Sequence, residues 1–571
     1  MLTYKTLYII VLVSLLGFTN SIKAQNNYPQ NYFISPVDIP IILSGSFGEL
    51  RSGHFHTGLD IKTQGVVGKK VVASADGYVS RIKVSPWGYG NALYITHPNG
   101  YTSVYAHLQK YNDTIAKLVK QTQYKQKRFD VEIFPEKGSI KVKQGQLIAH
   151  SGNSGSSGGP HVHFEIRNGA QQPINPLILG IKVADNQYPR MRKFRIYYYD
   201  EFNNSDFQEI SLKQNRSKVY KANSDTINIP TNNFYPAVEG FDRFNGANNK
   251  NGYYKLEFYL DNKLHSRFTA DKLDFREKRY INSYIDYNTF KDIKQRFQRS
   301  YKEPNTHLRN ISSVVNNGVM SLSDDSIHKL KIIAYDFAGQ KSTLEVAIRL
   351  KGRYKHKHIA NTTLFEWNHA NSYKNSNFEF SIPKNALYSS QQFWASTSDN
   401  KITTYSQLCN IYDIGVPLHK YCQLKIKLQN ADQIKDKSKL CIISLNSKNE
   451  KIYEGGKYAD GYVSTKTRSF GSYLIDMDTI APIIKANNVF QNKNITKQDK
   501  LSFKVTDDLS GIKKYIATLD GKWILLQFDP KRNHLYYVID EHFEAGKHKF
   551  EIIVIDSKGN SNVKSYDLIR N

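Results

Sequence analysis

The stretch that decides the fold of the N-terminal region is Gly159-Pro160-His161-Val162-His163-Phe164-Glu165. On a β-strand, side chains two positions apart point to the same face of the sheet. His161 and His163 can therefore reach a single site from the same edge. One imidazole can bind a metal ion while its neighbour stays free for proton transfer, so this strand predicts a metal site with catalytic potential.

A second motif upstream supplies the remaining ligands that a metal ion needs. It reads His56-Thr57-Gly58-Leu59-Asp60, a spacing compatible with a bend that brings both end residues inward, and Gly58 permits a tight backbone there. Two neutral imidazoles and one carboxylate leave Zn²⁺ a net positive charge and a fourth position for water. Such a water ionises near neutral pH and can attack a polarised peptide carbonyl. With His107, isolated between the two motifs, this is the inventory of a zinc hydrolase.

The sequence around these motifs, from Phe33 to about Leu179, is typical of an antiparallel β domain. Short β-branched or aromatic runs alternate with turns rich in Gly, Pro, Asn and Asp. One segment, Asn112 to Lys120, has a helical pattern with a capping residue at its start. We interpret the polar stretch that follows, to about Ser139, either as a lid or groove wall or as decoration of the surface.

Three separated motifs resemble the lysostaphin/LytM-type zinc endopeptidases, the duplicated hybrid motif peptidoglycan hydrolases. They are His-x-Gly-x-Asp at 56–60, Tyr105-Ala106-His107-Leu108, and the stretch 159–165 quoted above. Val142-Lys143-Gln144-Gly145-Gln146 and Ile174-Asn175-Pro176 also stand in the places usual for that family. The resemblance covers roughly Ser44 to Pro176.

The resemblance implies a β-sheet groove fold and a role for each histidine of the motifs. His56, Asp60 and His163 are expected as zinc ligands, and His107 and His161 as the pair that acts on the attacking water and the developing oxyanion. The usual substrates of the family are cross-linking or stem peptides of peptidoglycan. Two departures can alter which peptide enters the groove. The segment between His107 and Lys141 is longer than in compact members, and the loop 151–159 is rich in Gly and Ser.

Other residues near the motifs have weaker interpretations. His54 either contacts substrate or has a supporting structural role, while His97 and His150 are expected to be structural. Glu165 falls on the face of the two strand histidines, where it either orients a ligand or is a solvated strand position.

The C-terminal part of the sequence contains a duplication. His328 to Asp336 resembles His548 to Asp556, and a glycine follows three positions later in both. Each copy is preceded by an Asp-x-x-x-Pro junction, at 185–189 and 478–482, which suits a linker entering a new domain. Both copies resemble bacterial immunoglobulin-like sandwiches. The first is longer and is predicted to carry an insertion around 271–302.

The chain is therefore predicted to be mostly β, with a peptidase domain built on an antiparallel β-sheet groove followed by several β-sandwich domains. The predicted boundaries are a signal peptide at 1–24, the zinc peptidase domain at 33–181, an immunoglobulin-like sandwich with insertion at 185–350, a further β domain at 359–476 and a second immunoglobulin-like sandwich at 478–571.

The composition and the N-terminus indicate an exported protein of the periplasm or cell envelope. A basic start, a short apolar run and small residues before Gln25 have the pattern of a signal peptide, and no later stretch approaches membrane-spanning length. The net charge of +28 favours polyanions such as cell wall or lipopolysaccharide, or reflects a Lys- and Asn-rich composition. No nucleic-acid-binding motif supports nucleic acid as a partner. Three cysteines permit at most one internal bridge or are buried thiols.

These features predict a zinc endopeptidase that hydrolyses peptide bonds of peptidoglycan. Two alternatives stay open: a non-catalytic envelope regulator that binds and activates cell-wall amidases, and a surface scaffold or adhesion protein dominated by its sandwich domains. Other envelope proteins are then candidate partners of the sandwiches. The bond cleaved and the oligomeric state are not predicted.

Overall fold

The computed structural model describes residues 28–199, 206–215, 217–312, 314–354 and 361–571. The predicted signal peptide lies outside these ranges. Across them, no helix has the length and apolar character needed to cross a membrane. The chain is mostly β, as predicted, and its sheets belong to an N-terminal groove domain followed by β-sandwiches.

The N-terminal domain is built on an antiparallel sheet. Its strands, β1 to β14 in chain order, are Leu43–Gly45, Leu50–Arg51, His54–Phe55, Leu59–Lys62, Lys70–Val72, Gly77–Val84, Asn91–Thr96, Thr102–Leu108, Lys110–Tyr111, Val131–Ile133, Lys141–Val142, Leu147–His150, His161–Arg167 and Pro173–Ile174. The main sheet has the order β1-β4-β13-β8-β7-β6-β10. Because β4 and β8 flank β13, the three candidate motifs lie on adjacent strands, with His163 opposite Asp60 on one side and Ala106 on the other.

A single long helix, α1 (Asp113–Gln126), interrupts this domain and confirms the predicted helix. The Asn112 side chain accepts the backbone N–H of Ile115 at 3.1 Å, which caps the first turn. The helix continues past the predicted end because Gln123 is buried and its amide donates to the carbonyl of Phe129 at 2.7 Å. The polar stretch that follows contributes β10 to the edge of the main sheet, beside β6.

The second part of the chain forms two sheets, β16-β15-β20-β23 and β17-β18-β27-β26-β21-β22-β24. Its strands, β15 to β27, are Arg190–Tyr198, Phe207–Ile210, Leu212–Gln214, Val219–Ala222, Thr226–Ile229, Asn233–Phe241, Lys255–Leu260, Lys263–Thr269, Gln298–Arg299, Ile311–Ser312, Met320–Ser321, His328–Tyr335 and Lys341–Leu350. The segment predicted as an insertion contains the short helices α2 (Ile281–Tyr284) and α3 (Tyr287–Ile293).

In the described part of the chain, the remaining strands form five further sheets, three in the middle region and two in the last sandwich. In the middle region, β28 to β39 are Thr363–Phe365, Asn371–Lys374, Phe378–Ile382, Gln391–Phe393, Ala395–Ser398, Leu408–Ile411, Cys422–Lys427, Leu440–Leu445, Lys451–Tyr453, Lys457–Ala459, Tyr462–Thr467 and Gly471–Met477. In the last sandwich, β40 to β48 are Ile483–Ala486, Lys493–Asn494, Lys500–Thr506, Ile512–Leu519, Lys522–Ile524, Leu526–Asp529, His534–Val538, Gly546–Asp556 and Ser561–Arg570.

The sequence duplication has a structural counterpart. β26 and β47 each pair with the strand that follows them, β27 and β48. In the first copy, Nδ1 of His328 lies 2.7 Å from a carboxylate oxygen of Asp261. In the last copy, Nδ1 of His548 lies at the same distance from Asp520. The two sandwiches therefore share a local contact as well as a strand pattern.

Hydrophobic packing joins the N-terminal domain to the first sandwich in one continuous core. Phe55 stacks on Phe268 with ring centroids 5.7 Å apart, and the N–H of Gly252 donates to Oγ of Ser46 at 3.2 Å. The middle region and the last sandwich have separate main cores. The three cysteines lie in the middle region as buried, unpaired thiols, one of the two predicted states.

Candidate metal centre

The structure brings the three predicted zinc ligands together inside the main sheet. His56 follows β3, Asp60 lies on β4 and His163 on β13, and each is less than 10% exposed. Nε2 of His56 lies 2.9 Å from Oδ1 of Asp60 and 3.0 Å from Nδ1 of His163. Nδ1 of His163 lies 2.9 Å from the same carboxylate oxygen. The three donor atoms thus form a compact triangle.

The hydrogen bonds that His56 and His163 make outside the triangle determine which nitrogen of each ring points into it without a proton. A backbone carbonyl only accepts hydrogen bonds, so Nδ1 of His56, 2.7 Å from the carbonyl of Ser46, carries the proton of that ring. Nε2 of His163 lies 2.8 Å from Oε1 of Glu165 and is the protonated nitrogen when that ring is neutral. Two lone pairs and a carboxylate oxygen then converge, which fits a cation with nitrogen and oxygen ligands such as Zn²⁺.

The charges around the triangle favour an ionised Asp60. Burial alone would raise the pKa of this carboxyl, but His56 and the hydrogen bonds from His161 and His163 outweigh burial and hold the pKa well below its usual range. Its second oxygen accepts from Nη2 of Arg51 at 3.0 Å. Asp60 therefore presents one oxygen to the triangle as an anion.

Glu165 anchors His163 from behind. Its side chain is fully buried, and its Oε1 accepts from Thr57 Oγ1 at 2.5 Å and from the Tyr89 hydroxyl, while Oε2 accepts from Arg167 at 2.6 Å. Burial raises the pKa of Glu165, but the larger opposing effect of Arg167 and His163 brings the pKa below its usual range. The group is therefore an anion. Of the two interpretations of Glu165, the structure favours the orienting one.

The same anions act on His163. Burial opposes a charge on this imidazole, yet the contacts with Asp60 and Glu165 prevail and raise its pKa to about 9. Without a metal ion, a proton on Nδ1 therefore balances the two carboxylates, and a bound cation would take the place of that proton.

His107 and His161 lie next to the triangle, with ring centroids 4.8 Å apart. Nδ1 of His107 donates to the carbonyl of Ser154 at 2.9 Å, and Nδ1 of His161 donates to the carbonyl of Gly159 at 2.8 Å. Nε2 of His161 lies 3.4 Å from Oδ1 of Asp60. Both rings thus leave Nε2 without a proton as neutral imidazoles. Burial, together with the neighbouring histidines, lowers the pKa of His107 to about 3.

The backbone of His107 is unusual, because its φ of 59° lies in the left-handed region. Residues other than glycine rarely adopt this conformation, and it is enriched at functional sites. Here the strand β8 is interrupted, since its register with β7 shifts between Asn91 and Leu93. The N–H of His107 donates to the carbonyl of Tyr89 at 2.9 Å and fixes the turned backbone.

The last sandwich contacts the loop that holds these two histidines. Nζ of Lys531 donates to the carbonyls of Asn153, at 2.5 Å, and Ser157, at 3.1 Å. Ser157 in turn places Oγ 3.2 Å from Nδ1 of His161. Helix α1 also contacts this sandwich, where Tyr124 stacks on His542 with centroids 4.1 Å apart. Tyr124 belongs to the polar stretch after Lys120, so that stretch is not surface decoration alone: it contributes an interdomain contact.

The other histidines of this region have separate surroundings. His54 is exposed and its Nδ1 lies 3.0 Å from the carbonyl of Ser52. His97 is 2% exposed and contacts the carbonyl of Asp76 and the hydroxyl of Ser103, as expected for a structural residue.

Several residues at the site were not found from the sequence. Arg167 lies two positions after Glu165 on β13, a spacing that predicts that both side chains point to the same face of the sheet. Arg51 ends the short strand β2, while Thr57 and Tyr89 lie between strands, and no sequence spacing indicates their contacts with the site.

Comparison with known proteins matches residues 54–124 and 133–176 to peptidase family M23. Residues 362–478 match a Zu5-like domain. The DD-carboxypeptidase/endopeptidase Mpg of Neisseria meningitidis serogroup B is 34% identical over 137 residues, which are 24% of this chain and 25% of that protein. The murein hydrolase activator NlpD of Escherichia coli K12 is 36% identical over 132 residues, which are 23% of this chain and 27% of that protein. The chain thus spans about a quarter of the length of these curated relatives.

Among solved structures, the catalytic domain of the prophage-encoded M23 protein EnpA from Enterococcus faecalis is 27% identical and aligns over 25% of this chain and 95% of its own, with a TM-score of 0.19. The catalytic domain of lysostaphin from Staphylococcus simulans is 25% identical over 23% of this chain and 86% of its own, with a TM-score of 0.17.

The segments matched to family M23 include the two sequence motifs and His107, and the five predicted site residues lie in contact or next to one another. The resemblance seen in the sequence is confirmed: the chain contains a domain of peptidase family M23.

Proposed function

We propose that the protein is an exported zinc-dependent endopeptidase that hydrolyses peptide bonds in stem or cross-link peptides of peptidoglycan. The observation that carries this proposal is the convergence of two imidazole lone pairs and the Asp60 carboxylate, with two further imidazoles beside them. A relative named DD-carboxypeptidase/endopeptidase supports the substrate class. The net charge of +28 suits an anionic wall polymer.

His56, Asp60 and His163 would hold the metal ion. Zinc bound there supplies a Lewis acid that polarises an amide carbonyl and makes water acidic enough to act near neutral pH. One of the pair His107 and His161 accepts a proton from the attacking water at its free Nε2, and the other donates a hydrogen bond to the oxygen that gains charge. The carbonyl of Ser154 keeps the proton of His107 on Nδ1 and leaves its Nε2 as an acceptor, and the carbonyl of Gly159 orients the ring of His161 through Nδ1.

The low pKa of His107 makes it neutral at the pH of the envelope, so Nε2 is available as an acceptor. We therefore assign the base to His107 and the hydrogen bond to the oxyanion to His161. The donor role requires a proton on Nε2 of His161, the ring nitrogen that lies 3.4 Å from Oδ1 of Asp60.

Digestion of purified sacculi tests the proposal. Wild type with zinc should release muropeptides, whereas His163→Ala and the wild type with chelator should not. His54→Ala is the matched control, because this exposed histidine lies outside the triangle. Equal release by all four samples would contradict the proposal.

A second function rests on a specific observation, the similarity to murein hydrolase activators. As an activator, this domain would stimulate a cell-wall amidase without cleaving peptides itself. The complete donor set argues against that function, because an activator has no chemical need for it. An amidase assay with the His163→Ala variant separates the two: retained stimulation of the amidase, with no peptide cleavage by the wild type, would favour the activator.

A further inference from the structure

A polar cavity of about 260 Å³ lies between the insertion of the first sandwich and the middle region. Residues of α2, α3 and the segment 299–303 form one wall, and residues of the segments 388–394 and 412–417 form the other. The volume is slightly below the range of about 300–1,000 Å³ that is usual for drug-sized ligands, and domain interfaces are a preferred place for ligand sites. The cavity therefore suits one small molecule.

Hydrogen bonds across the interface hold the two walls in place. Oγ of Ser389 donates to Oε2 of Glu303 at 3.0 Å, and Nδ2 of Asn305 donates to the carbonyl of Leu387 at 2.7 Å. The backbone N–H of Asn305 also donates to the carbonyl of Tyr388 at 2.9 Å. Ser389, Glu303 and Asn305 are all buried. The cavity is thus a preformed feature of two firmly packed parts of the chain.

Asn282, on α2, lines the cavity and has a buried polar atom without a partner. The residue is 3% exposed, and its Oδ1 makes no hydrogen bond with any described residue. Such an oxygen is costly, because it has lost its contact with water and has gained no donor in return. A ligand that donates a hydrogen bond to Asn282 would remove this cost.

Two aromatic side chains line the opposite wall. Trp394 directly follows β31 and Tyr412 directly follows β33, and their rings meet edge to face with centroids 6.2 Å apart. The Tyr412 hydroxyl donates to Oε1 of Gln391 at 3.0 Å, which fixes that ring. Tyr412 has a φ of 49°, an outlier for a bulky residue, and strained backbones of this kind cluster at ligand sites. Both aromatic residues are partly exposed and keep ring surface for a ligand.

The buried charges that line the cavity are paired within the protein. Nη2 of Arg299 donates to Oε1 of Glu303 at 2.5 Å, and Oδ2 of Asp286 accepts from Nη1 of Arg195 at 3.0 Å. Among the described residues that line the cavity, Arg299 is the one cation, so an anionic ligand is not favoured. The groups of possible metal donors in the described part of the chain include none of these acids. The cavity therefore favours a neutral ligand.

We propose that this cavity binds one neutral sugar ring. A sugar ring has an apolar C–H face that packs on aromatic rings, and its hydroxyl groups both donate and accept hydrogen bonds. Trp394 and Tyr412 provide the aromatic surface, and Asn282 provides an acceptor. We assign the amino sugars of the peptidoglycan glycan strand as the source. This assignment rests on the proposed function, because the peptides hydrolysed at the metal centre are attached to that strand. Binding there retains the enzyme on the wall.

Titration of the zinc-loaded full chain with N-acetylglucosamine and with glucose, followed by calorimetry, tests the proposal. We expect one N-acetylglucosamine per chain with a Kd of about 1 mM, the affinity of a small ligand with few contacts. Glucose lacks the acetamide group and should bind at least about tenfold more weakly. Equal affinity for the two sugars would overturn the assignment to the glycan strand.

Variants of the cavity locate the binding. Asn282→Ala should weaken binding about tenfold without lowering Tm, because it removes an oxygen that has no partner in the free protein. Trp394→Ala should weaken binding to a similar extent. Tyr421 is an aromatic residue of the middle region that is 55% exposed and lies outside the cavity, so Tyr421→Ala should bind like the wild type.

His163→Ala separates this proposal from the proposed function. The variant lacks a proposed zinc ligand but has an intact cavity, so it should bind N-acetylglucosamine like the wild type. Sacculi left undigested by a wild type that binds the sugar would contradict the proposed function and leave the sugar site standing. No heat with either sugar at about 10 mM, ten times the expected Kd, or binding unchanged in both Asn282→Ala and Trp394→Ala, would overturn the site.

Discussion

Nε2 of His163 lies 2.8 Å from Oε1 of Glu165, a fully buried carboxylate on the same face of β13. This contact fixes the orientation of the ring and directs Nδ1 toward His56 and Asp60. A carboxylate behind a ligating imidazole also raises the basicity of the ligand.

Glu165→Gln should therefore lower zinc affinity by about 10- to 100-fold, the usual effect of losing such a partner. Competition with a fluorescent zinc chelator measures the affinity. Glu132→Gln is the control, because it removes a carboxylate from the surface strand β10. Unchanged zinc affinity in Glu165→Gln would show that the contact does not support the ligand.

His107→Asn should abolish hydrolysis and leave zinc binding intact. Asparagine tolerates the left-handed backbone of this position but lacks the imidazole. The rate of muropeptide release should fall by about 10²- to 10⁴-fold, the contribution of a general acid or base. Metal analysis of the same sample gives the second measurement, and a parallel loss of zinc would assign His107 to the ligand set.

Gly58→Ala should destabilise the peptidase domain, because the backbone at residue 58 lies too close to strand β13 to leave room for a Cβ. A Cβ at this position would lie 2.3 Å from the carbonyl oxygen of Phe164 and 2.9 Å from Cγ of Glu165. The strand that carries His163 would have to move, at a cost of about 1–3 kcal/mol. Thermal unfolding measures the loss. Gly158→Ala is the matched control because a Cβ there meets nothing within 4 Å, and equal Tm values for both variants would contradict the argument.

Lys531→Ala should slow hydrolysis without changing zinc content. Its ammonium group connects the last sandwich to the loop that orients His107 and His161. A looser loop misplaces both rings, and we expect kcat to fall by about tenfold. The neighbouring Arg532 has a side chain that is 78% exposed, so Arg532→Ala serves as the control. Equal rates for both variants would mean that the sandwich contact has no catalytic role.

The sequence could bring the candidate site residues together because they are concentrated in motifs on strands that pair with each other. The period of a strand places His161 and His163 on one face, and β4 is a direct neighbour of β13. The role of Glu165 stayed open, because the sequence pattern does not tell a buried strand position from a solvated one.

Contacts between distant parts of the chain could not be predicted. Lys531 contacts Asn153, which lies hundreds of positions earlier in the sequence. The sequence around Lys531 is that of an ordinary exposed lysine. The common core of the peptidase domain and the first sandwich could not be predicted either, because the junction after Ile181 has the composition of a linker. The domain boundaries as such stay predictions.

The interface between the first sandwich and the middle region should weaken in acid because of His419. This ring stacks on Tyr280 with centroids 4.5 Å apart, and its Nδ1 lies 3.1 Å from the hydroxyl oxygen of Tyr388. Burial, with the nearby charges of Arg279 and Lys420, lowers the pKa of His419 to about 4. The unfolded chain takes up this proton near pH 6.5. Stability from the neutral ring is therefore fully present above pH 6.5 and is lost as the pH falls toward 4.

The slope from this one group is at most about 1.4 kcal/mol per pH unit, and it should appear in the transition of the middle region. His419→Gln removes the titration, so its Tm should fall less than that of the wild type between pH 6.5 and 4. His369→Gln replaces a histidine of the same region whose side chain is 62% exposed, and it should keep the slope of the wild type. Parallel pH profiles for the wild type and both variants would show that another group controls the acid sensitivity of this interface.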